Sequence, residues 1–190
     1  MSSRVPVRIG DTTLQAVQVM LRASRLPQHE WQHLLDTKVH GPTPDFNDPD
    51  ARFELTDFMR LGEALTHASP TGLSLGIAMG MAYHDTDFGL PGQIARTAAT
   101  LGDALDAFVH YQPLITRCYR GNPSVHRGHG PAMRLYSIAP YNRYNCFVVD
   151  SALSSWKRQI EWLTGRNDAL LAVDIEYEHC SYAEALAECF

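Results

Sequence analysis

The segment DFGLPGQIARTAATLGDALDAFVHYQPLI, residues 87–115, decides the fold of this chain. Phe88 and Gly89 lead into a short apolar stretch, and Thr100 then begins a second helix. Thr100 and Asp103 have the spacing of a capping box, in which the hydroxyl accepts from a first-turn N–H and the carboxylate reaches back to the cap. The apolar face of this helix would be formed by Leu101, Leu105, Phe108 and then Gln112 or Leu114.

Upstream of this segment, hydrophobic periodicity predicts three further helices. The first runs over about 12–24 with Asp11 as its cap, the second over about 28–36 and the third over about 50–67. The residues of the third that we expect to face inward are Phe53, Phe58, Leu61 and Leu65. Glycines then recur every four residues, a strip that permits close approach of a neighbouring backbone; they are Gly72, Gly76 and Gly80.

The second half of the chain changes character. Possible strands at 125–127 and 132–138 flank the turn signal Gly128-His129-Gly130, and a long helix is predicted over 142–164 with Gly165 as its C-cap. One face of this helix would carry Tyr144, Val148, Ala152, Trp156, Ile160 and Leu163.

Two short elements complete the prediction: a strand over 170–177 and a final helix opened by the capping box Ser181-Tyr182-Ala183-Glu184. The predicted fold class is therefore α+β, with an N-terminal helical layer packed on a small antiparallel sheet and a long C-terminal helix. We expect residues 1–190 to form a single domain.

Composition excludes several functional classes. The chain has 190 residues with 45% hydrophobic and 19% charged residues, as in ordinary soluble globular proteins. The net charge is −5, the pI is about 5.9, and no Lys/Arg cluster forms the basic stripe of a domain that grips phosphates. The four cysteines lack metal-binding spacing, so we expect reduced thiols in a cytoplasmic protein. No signal peptide or membrane-spanning run is evident.

The order of the motifs resembles a known family. FGLPG at 88–92, TLGDAL at 100–105 and VHY at 109–111 resemble the N-terminal effector-sensing domain of AraC/XylS-type bacterial transcription regulators, of the arabinose-binding class. Upstream, LTDFMRL at 55–61 and TGLSLG at 71–76 are similar to the family's loading helix and G-L-x-L-G signature.

The resemblance implies a non-enzymatic sensor without a cofactor. It would bind a small-molecule effector, form a homodimer and shift between two arrangements when the effector binds. Complete regulators of this kind continue into a helix-turn-helix domain, and this chain stops at Phe190. We therefore expect contact with DNA only through that missing C-terminal domain.

The effector site is expected at the junction between the helical half and the sheet, because sensors need a largely apolar cavity with a few polar groups. The candidate ligand-binding residues are Tyr111, Arg117, Arg134, Tyr136 and Trp156. An arginine there would suit a carboxylate or phosphate. Alternatively, Arg117 and Arg134 point to solvent from a helix end and the outer face of a strand. Trp162 lies off the core stripe of its helix and is the candidate dimer contact.

Two alternative functions remain open. His29-Glu30-Trp31-Gln32-His33 matches H-E-x-x-H, in which two histidines bind zinc and the glutamate acts as general base of a hydrolase. However, Pro27 would place His29 in the first turn of a short helix, and no third ligand is evident. The other alternative is a haem or gas sensor that uses His110, although the Y-x-S-x-R element for the propionates is not present.

Overall fold

The computed structural model describes residues 9–137, 140–142, 144–178 and 182–190, and within these ranges the fold is α+β. The strands are β1 (Gly10–Thr13), β2 (Arg52–Glu54), β3 (Thr116–Cys118), β4 (Gly121–His126) and β5 (Ala132–Ser137). The α-helices are α1 (Leu14–Ser24), α2 (Gln28–Lys38), α3 (Leu55–Ala68), α4 (Leu75–Met81), α5 (Gly89–Arg96), α6 (Leu101–Tyr111), α7 (Cys146–Thr164) and α8 (Ala183–Cys189). None of these helices has the length and apolar character needed to cross a bilayer.

The segment 87–115 folds into α5 and α6, as predicted. Phe88 is only 3% exposed and fills the core, while Gly89 turns the chain with φ of 53°. The Thr100 hydroxyl accepts from the backbone N–H of Asp103 at 3.2 Å and caps α6. The second bond of the capping box differs from the prediction. The Asp103 carboxylate accepts from the Thr100 hydroxyl at 2.6 Å and not from a backbone N–H.

The prediction that Asp11 caps the first helix is wrong. Asp11 lies within β1, and the cap of α1 is Thr13, whose hydroxyl accepts from the backbone N–H of Ala16 at 3.3 Å. β1 is the central strand of a three-stranded sheet in the order β2-β1-β3, antiparallel on both sides. The third helix is also shorter than predicted, because Phe53 belongs to β2 and α3 begins only at Leu55.

Asp11 ties the three strands of this sheet together. Its carboxylate accepts from the Arg52 Nε at 2.7 Å and from the Arg117 Nε at 2.9 Å, and it forms an ion pair with a second Arg117 nitrogen 2.9 Å away. The Arg52 guanidinium also donates to the carbonyl of Leu114 at 2.8 Å. Burial alone would raise the pKa of Asp11, but the bonds from Arg117 and Arg52 outweigh it and lower this pKa below its ordinary value.

We expect Asp11→Asn to lower the free energy of unfolding at pH 7 by about 2 kcal/mol, because charged hydrogen bonds are lost while both guanidinium groups stay partly solvated. A lowered carboxyl pKa gives stability that is present above the unfolded-state pKa of about 3.9 and is lost as pH falls below it. The difference between variant and wild type should therefore shrink between pH 5 and pH 3. Urea unfolding across this range measures it. Asp168→Asn, which removes an exposed partner of Arg166, is the control. If its stability difference from the wild type changed with pH as much as that of Asp11→Asn, the effect could not be assigned to the bonds of Asp11.

A tight contact between α4 and α7 forms the centre of the helical layer. Gly76 and Gly80 of α4 lie directly against the backbone of α7, as the glycine strip predicts. Ser154 of α7 fits into this contact and donates to the carbonyl of Asp150 at 2.6 Å. Gly72, in contrast, lies in a short 3₁₀-helix and has nothing within 4 Å of the position of a Cβ.

The hairpin and α7 differ from the predicted boundaries for local reasons. β4 begins at Gly121 and contains Pro123, which is tolerated because both strands of a two-stranded sheet are edges. Ile138, the predicted end of the second strand, lies outside the described residues. α7 has 19 residues and begins at Cys146, because the Asn142 and Asn145 side chains bond to nearby backbone and hold a turn before it.

The predicted strand over 170–177 is wrong. The described residues between α7 and α8 include no strand, and Leu171 is 96% exposed, because this stretch finds no neighbouring strand edge to pair with. α8 follows and packs Leu186 and Cys189 against Ile77 of α4. Ser181 of the predicted capping box lies outside the described residues.

Candidate functional site

A cavity of about 290 Å³ lies where the helical layer meets the two sheets. Its walls come from β1 and β3, from the β4–β5 hairpin, and from helices α1, α3, α4, α6 and α7. Eight of the lining residues are aromatic, and the five buried ones are Phe58, Tyr83, Phe88, Phe108 and Trp156. The Tyr83 and Phe88 rings stack with centroids 4.9 Å apart, and Phe108 meets Phe88 edge-on at 5.5 Å. Such a wall suits an apolar ligand body.

Most hydroxyl groups in the buried part of the cavity already have partners. The hydroxyls of Thr12 and Thr116 bond to each other at 2.7 Å, and Ser155 donates to the carbonyl of Ala152 at 2.8 Å. Ser151 is 6% exposed and Tyr83 is 8% exposed, both line the cavity, and neither hydroxyl has a hydrogen-bond partner within the described part of the chain. A ligand could therefore bond to Ser151 without breaking a contact.

Arg120 is the one charged side chain in the cavity lining, as far as the described residues show. It lies in the bend between β3 and β4, is exposed, and makes no ion pair with a described residue. The lining includes no carboxylate among the described residues, so the charge at the cavity is positive.

Two of the five predicted ligand-binding residues line this cavity. Trp156 is 7% exposed and forms part of its wall, and Tyr136 is 68% exposed and lies at its rim. Their role in binding stays a prediction.

The structure does not bring the other three candidates into the cavity lining. Arg117 alternates with Thr116 and Cys118 along β3, and since those two residues line the cavity, the Arg117 side chain lies on the opposite face, against Asp11. Arg134 pairs with Ser124 in the hairpin register and is exposed. Tyr111 ends α6, and its ring meets that of His110 edge-on.

Arg120 was not among the sequence-based candidates. It lies three residues after Arg117, and the sequence offers no signal that favours one arginine over the other unless the alternation of β3 is known. The polar candidates on strands and turns thus depended on strand boundaries that sequence patterns did not predict.

Trp162 is placed differently from the expectation that it lies off the core side of its helix. It is partly buried and packs against the core, where its ring meets Phe88 edge-on with centroids 5.9 Å apart. The Arg158 guanidinium lies over the ring, 4.9 Å from its centroid. Only part of Trp162 is therefore available to a partner.

The residues of the two alternative functions do not line the cavity. His29, Glu30 and His33 are exposed on α2, and within the described residues no group of three or more His, Cys, Asp and Glu side chains could hold a metal ion. The His29 ring nitrogen lies 3.9 Å from the Glu30 carboxylate, a surface pair. His110 is exposed and does not line the cavity.

The cysteines do not form a bridge among the described residues. Cys118, Cys146 and Cys189 are free thiols, and Cys180 lies outside the described residues. Burial raises the pKa of the Cys146 and Cys189 thiols, so neither has the lowered pKa of a reactive nucleophile.

A buried carboxyl group links the cavity helix to the C-terminal segment. Asp150 of α7 is 1% exposed and accepts from the Tyr177 hydroxyl at 2.6 Å and from the Tyr182 hydroxyl at 2.9 Å. The Tyr177 hydroxyl also lies 3.2 Å from the carbonyl of Cys146. Burial first, and then the bond to Asp150 with its neighbouring charge, raise the pKa of both tyrosines well above the ordinary value. We call this group, Asp150 with Tyr177 and Tyr182, the C-terminal clasp.

Comparison with known families points to a regulatory domain. The model of the arabinose-binding domain of AraC transcription regulators, an N-terminal domain, matches residues 42–190, well over half of the chain. The match leaves out β1, α1 and α2, although Thr12 and Ala16 from that part line the cavity. A search among curated proteins found no match.

Proposed function

This chain belongs to the family of arabinose-binding domains of AraC transcription regulators, and we propose that it senses a small-molecule effector in the cavity, dimerises, and thereby controls DNA binding by a helix-turn-helix domain of the same regulator. The family consists of ligand-binding domains of regulators and is not an enzyme family. We place this regulator in the bacterial cytoplasm, where effector and DNA are both accessible.

The observation that carries the proposal is the double role of α7. One face of this helix lines the cavity with Val148, Ala152 and Trp156. The same helix holds the C-terminal segment through Asp150 of the clasp. A ligand that contacts α7 can therefore favour one placement of the C-terminal segment over another, provided that it binds the two arrangements with different affinity.

Dimerisation remains part of the proposal. Two linked DNA-binding domains are presented together only when their sensing domains associate, and a symmetric pair would use the same surface twice. Trp162 stays the candidate contact, through the part of its ring that Phe88 and Arg158 leave uncovered.

We expect Ala152→Phe to abolish effector binding, because the phenyl ring would occupy the cavity that Ala152 borders. Native mass spectrometry of the purified chain should show a dimer that carries a small organic adduct, and the adduct should be lost in the variant. A thermal-shift screen of small metabolites on both proteins provides the second measurement, since a ligand at one hundred times its Kd stabilises by about 2.7 kcal/mol.

Ala187→Phe is the matched control, because Ala187 is an exposed helical residue of α8 and lies outside the cavity lining. It should keep the adduct and the thermal shifts of the wild type. The proposal fails if no metabolite shifts the wild type and no adduct is found, or if Ala152→Phe binds as well as the control does.

A further inference from the structure

We propose that the cavity takes an apolar organic monocarboxylate, with its body against the aromatic wall and its carboxylate at Arg120, and not a sugar. The inference rests on the proposed sensing function and specifies its effector class. At about 30 Å³ for each water-sized volume, a cavity of about 290 Å³ holds roughly ten non-hydrogen atoms.

The buried part of the lining offers few partners to the hydroxyl groups of a sugar. Every hydroxyl of a sugar that enters the cavity loses its bonds to water and needs a protein partner in exchange. In the buried part, the Thr12 and Thr116 hydroxyls bond to each other and the Ser155 hydroxyl donates to its own helix. The Ser151 and Tyr83 hydroxyls are the ones there that lack a partner among the described residues. The body of the ligand can therefore carry about two polar groups, and the rest should be apolar.

The amides at the rim do not change this conclusion. Asn142 and Asn145 border the cavity, but their side chains bond to the backbone of the turn before α7, including the carbonyl of Pro140 at 3.1 Å from the Asn145 amide. Among the described residues, the mouth thus leaves the Gln112 amide, the Tyr136 hydroxyl and Arg120 to a ligand, which suits one polar end better than a ring of hydroxyl groups.

The charge of the lining favours an anion. Neighbouring arginines are neutralised, since Arg52 and Arg117 both bond to Asp11. Arg120 has no such acidic partner among the described residues and borders the cavity. A guanidinium group can bind a carboxylate through two parallel hydrogen bonds, so the anionic end of the ligand belongs at Arg120.

Calorimetric titration of the full chain tests the inference with four probes: decanoate, 2-naphthoate, decan-1-ol and L-arabinose. At least one of the two carboxylates should bind about tenfold or more tightly than decan-1-ol, and arabinose should give no signal. The aliphatic and aromatic acids distinguish a chain-like from a flat apolar body. Arg120→Gln should weaken the carboxylates about tenfold and leave decan-1-ol unchanged. Since Arg120 is exposed, this variant should fold normally.

Arg134→Gln is the matched control, because Arg134 is also exposed and without an ion pair among the described residues but does not line the cavity. It should bind all probes as the wild type does. If acid and alcohol bind with equal affinity, or if Arg120→Gln binds the carboxylates as tightly as the wild type, the effector is not an anion. If arabinose binds, the effector is not restricted to apolar molecules. If none of the four probes binds, the inference also fails. The sensing function itself fails only when the metabolite screen and the adduct measurement are negative.

Discussion

Replacing Gly76 or Gly80 by alanine should lower the free energy of unfolding by about 3 kcal/mol, which corresponds to a drop in Tm of about 6–12 °C for a domain of this size. A Cβ added at Gly80 would lie 2.6 Å from the backbone nitrogen of Ser155 and 2.7 Å from the carbonyl oxygen of Ser151. At Gly76 it would lie 2.7 Å from the Asp150 Cβ and nearer still to the backbone carbonyl of Phe147. Backbone atoms of a packed helix cannot give way cheaply.

The helix propensity of alanine opposes this effect by only about 1 kcal/mol, so the clash decides the sign. Gly102→Ala in α6 is the control, because a Cβ there would lie 3.4 Å from the flexible guanidinium of Arg127. It should leave Tm unchanged or raise it slightly. Thermal unfolding followed by circular dichroism compares the three variants. Equal Tm values for Gly76→Ala and Gly102→Ala would mean that α4 and α7 do not approach as closely as described.

The helical part of the fold could be predicted because its signals extend over many residues. Helical spacing of residues, together with a residue that marks a helix boundary, identifies these elements: the α5–α6 segment, the glycine strip of α4 and the helix that ends at the C-cap Gly165. Strands β1 and β3 were missed because three or four residues give too little alternation to recognise. Asp11 shows the difficulty, since a helix cap and a strand residue look alike locally, and its partner Arg117 is 106 positions away.

The site was predictable only where it depends on helices. Trp156 follows from the apolar face of α7, and it lines the cavity. Arg117 and Arg120 are equally plausible in the sequence, and only the register of β3, which pairs Arg117 with Asp11 of β1, separates them. The stretch over 170–177 alternates like a strand, but a strand also needs a neighbour, and a single sequence pattern says nothing about that.

Asp150→Ala should speed amide hydrogen exchange throughout α8 by roughly thirtyfold, the equivalent of about 2 kcal/mol of local stability. The substitution removes the acceptor of both the Tyr177 and the Tyr182 hydroxyl, and these partly buried groups would lose their bonds to the buried carboxyl group. α8 would then be held mainly by the contact of Leu186 and Cys189 with Ile77. Exchange measured by mass spectrometry resolves α8 from α6, where the rates should not change.

Asp103→Ala is the control, since Asp103 is an exposed carboxylate whose partners are Thr100, the cap of α6, and Arg127, which follows β4. It should leave exchange in α8 unchanged. Unaltered α8 exchange in Asp150→Ala would show that the C-terminal clasp does not hold this segment.

The clasp also yields a test of the route through α7, because coupling between two sites is reciprocal. If ligand binding in the cavity stabilises the placement of α8, the ligand should slow amide hydrogen exchange of α8 in the wild type. Loosening α8 should then lower the affinity for the ligand by the same factor. In Asp150→Ala both effects should be lost together, since the cavity wall formed by Val148, Ala152 and Trp156 is intact while the link to the C-terminal segment is not. Ligand-dependent protection of α8 that survives in Asp150→Ala would require a route other than the clasp. The apolar contact of Ile77 with Leu186 would then be the next link to remove, because it joins α4, whose Met79 also lines the cavity, to α8.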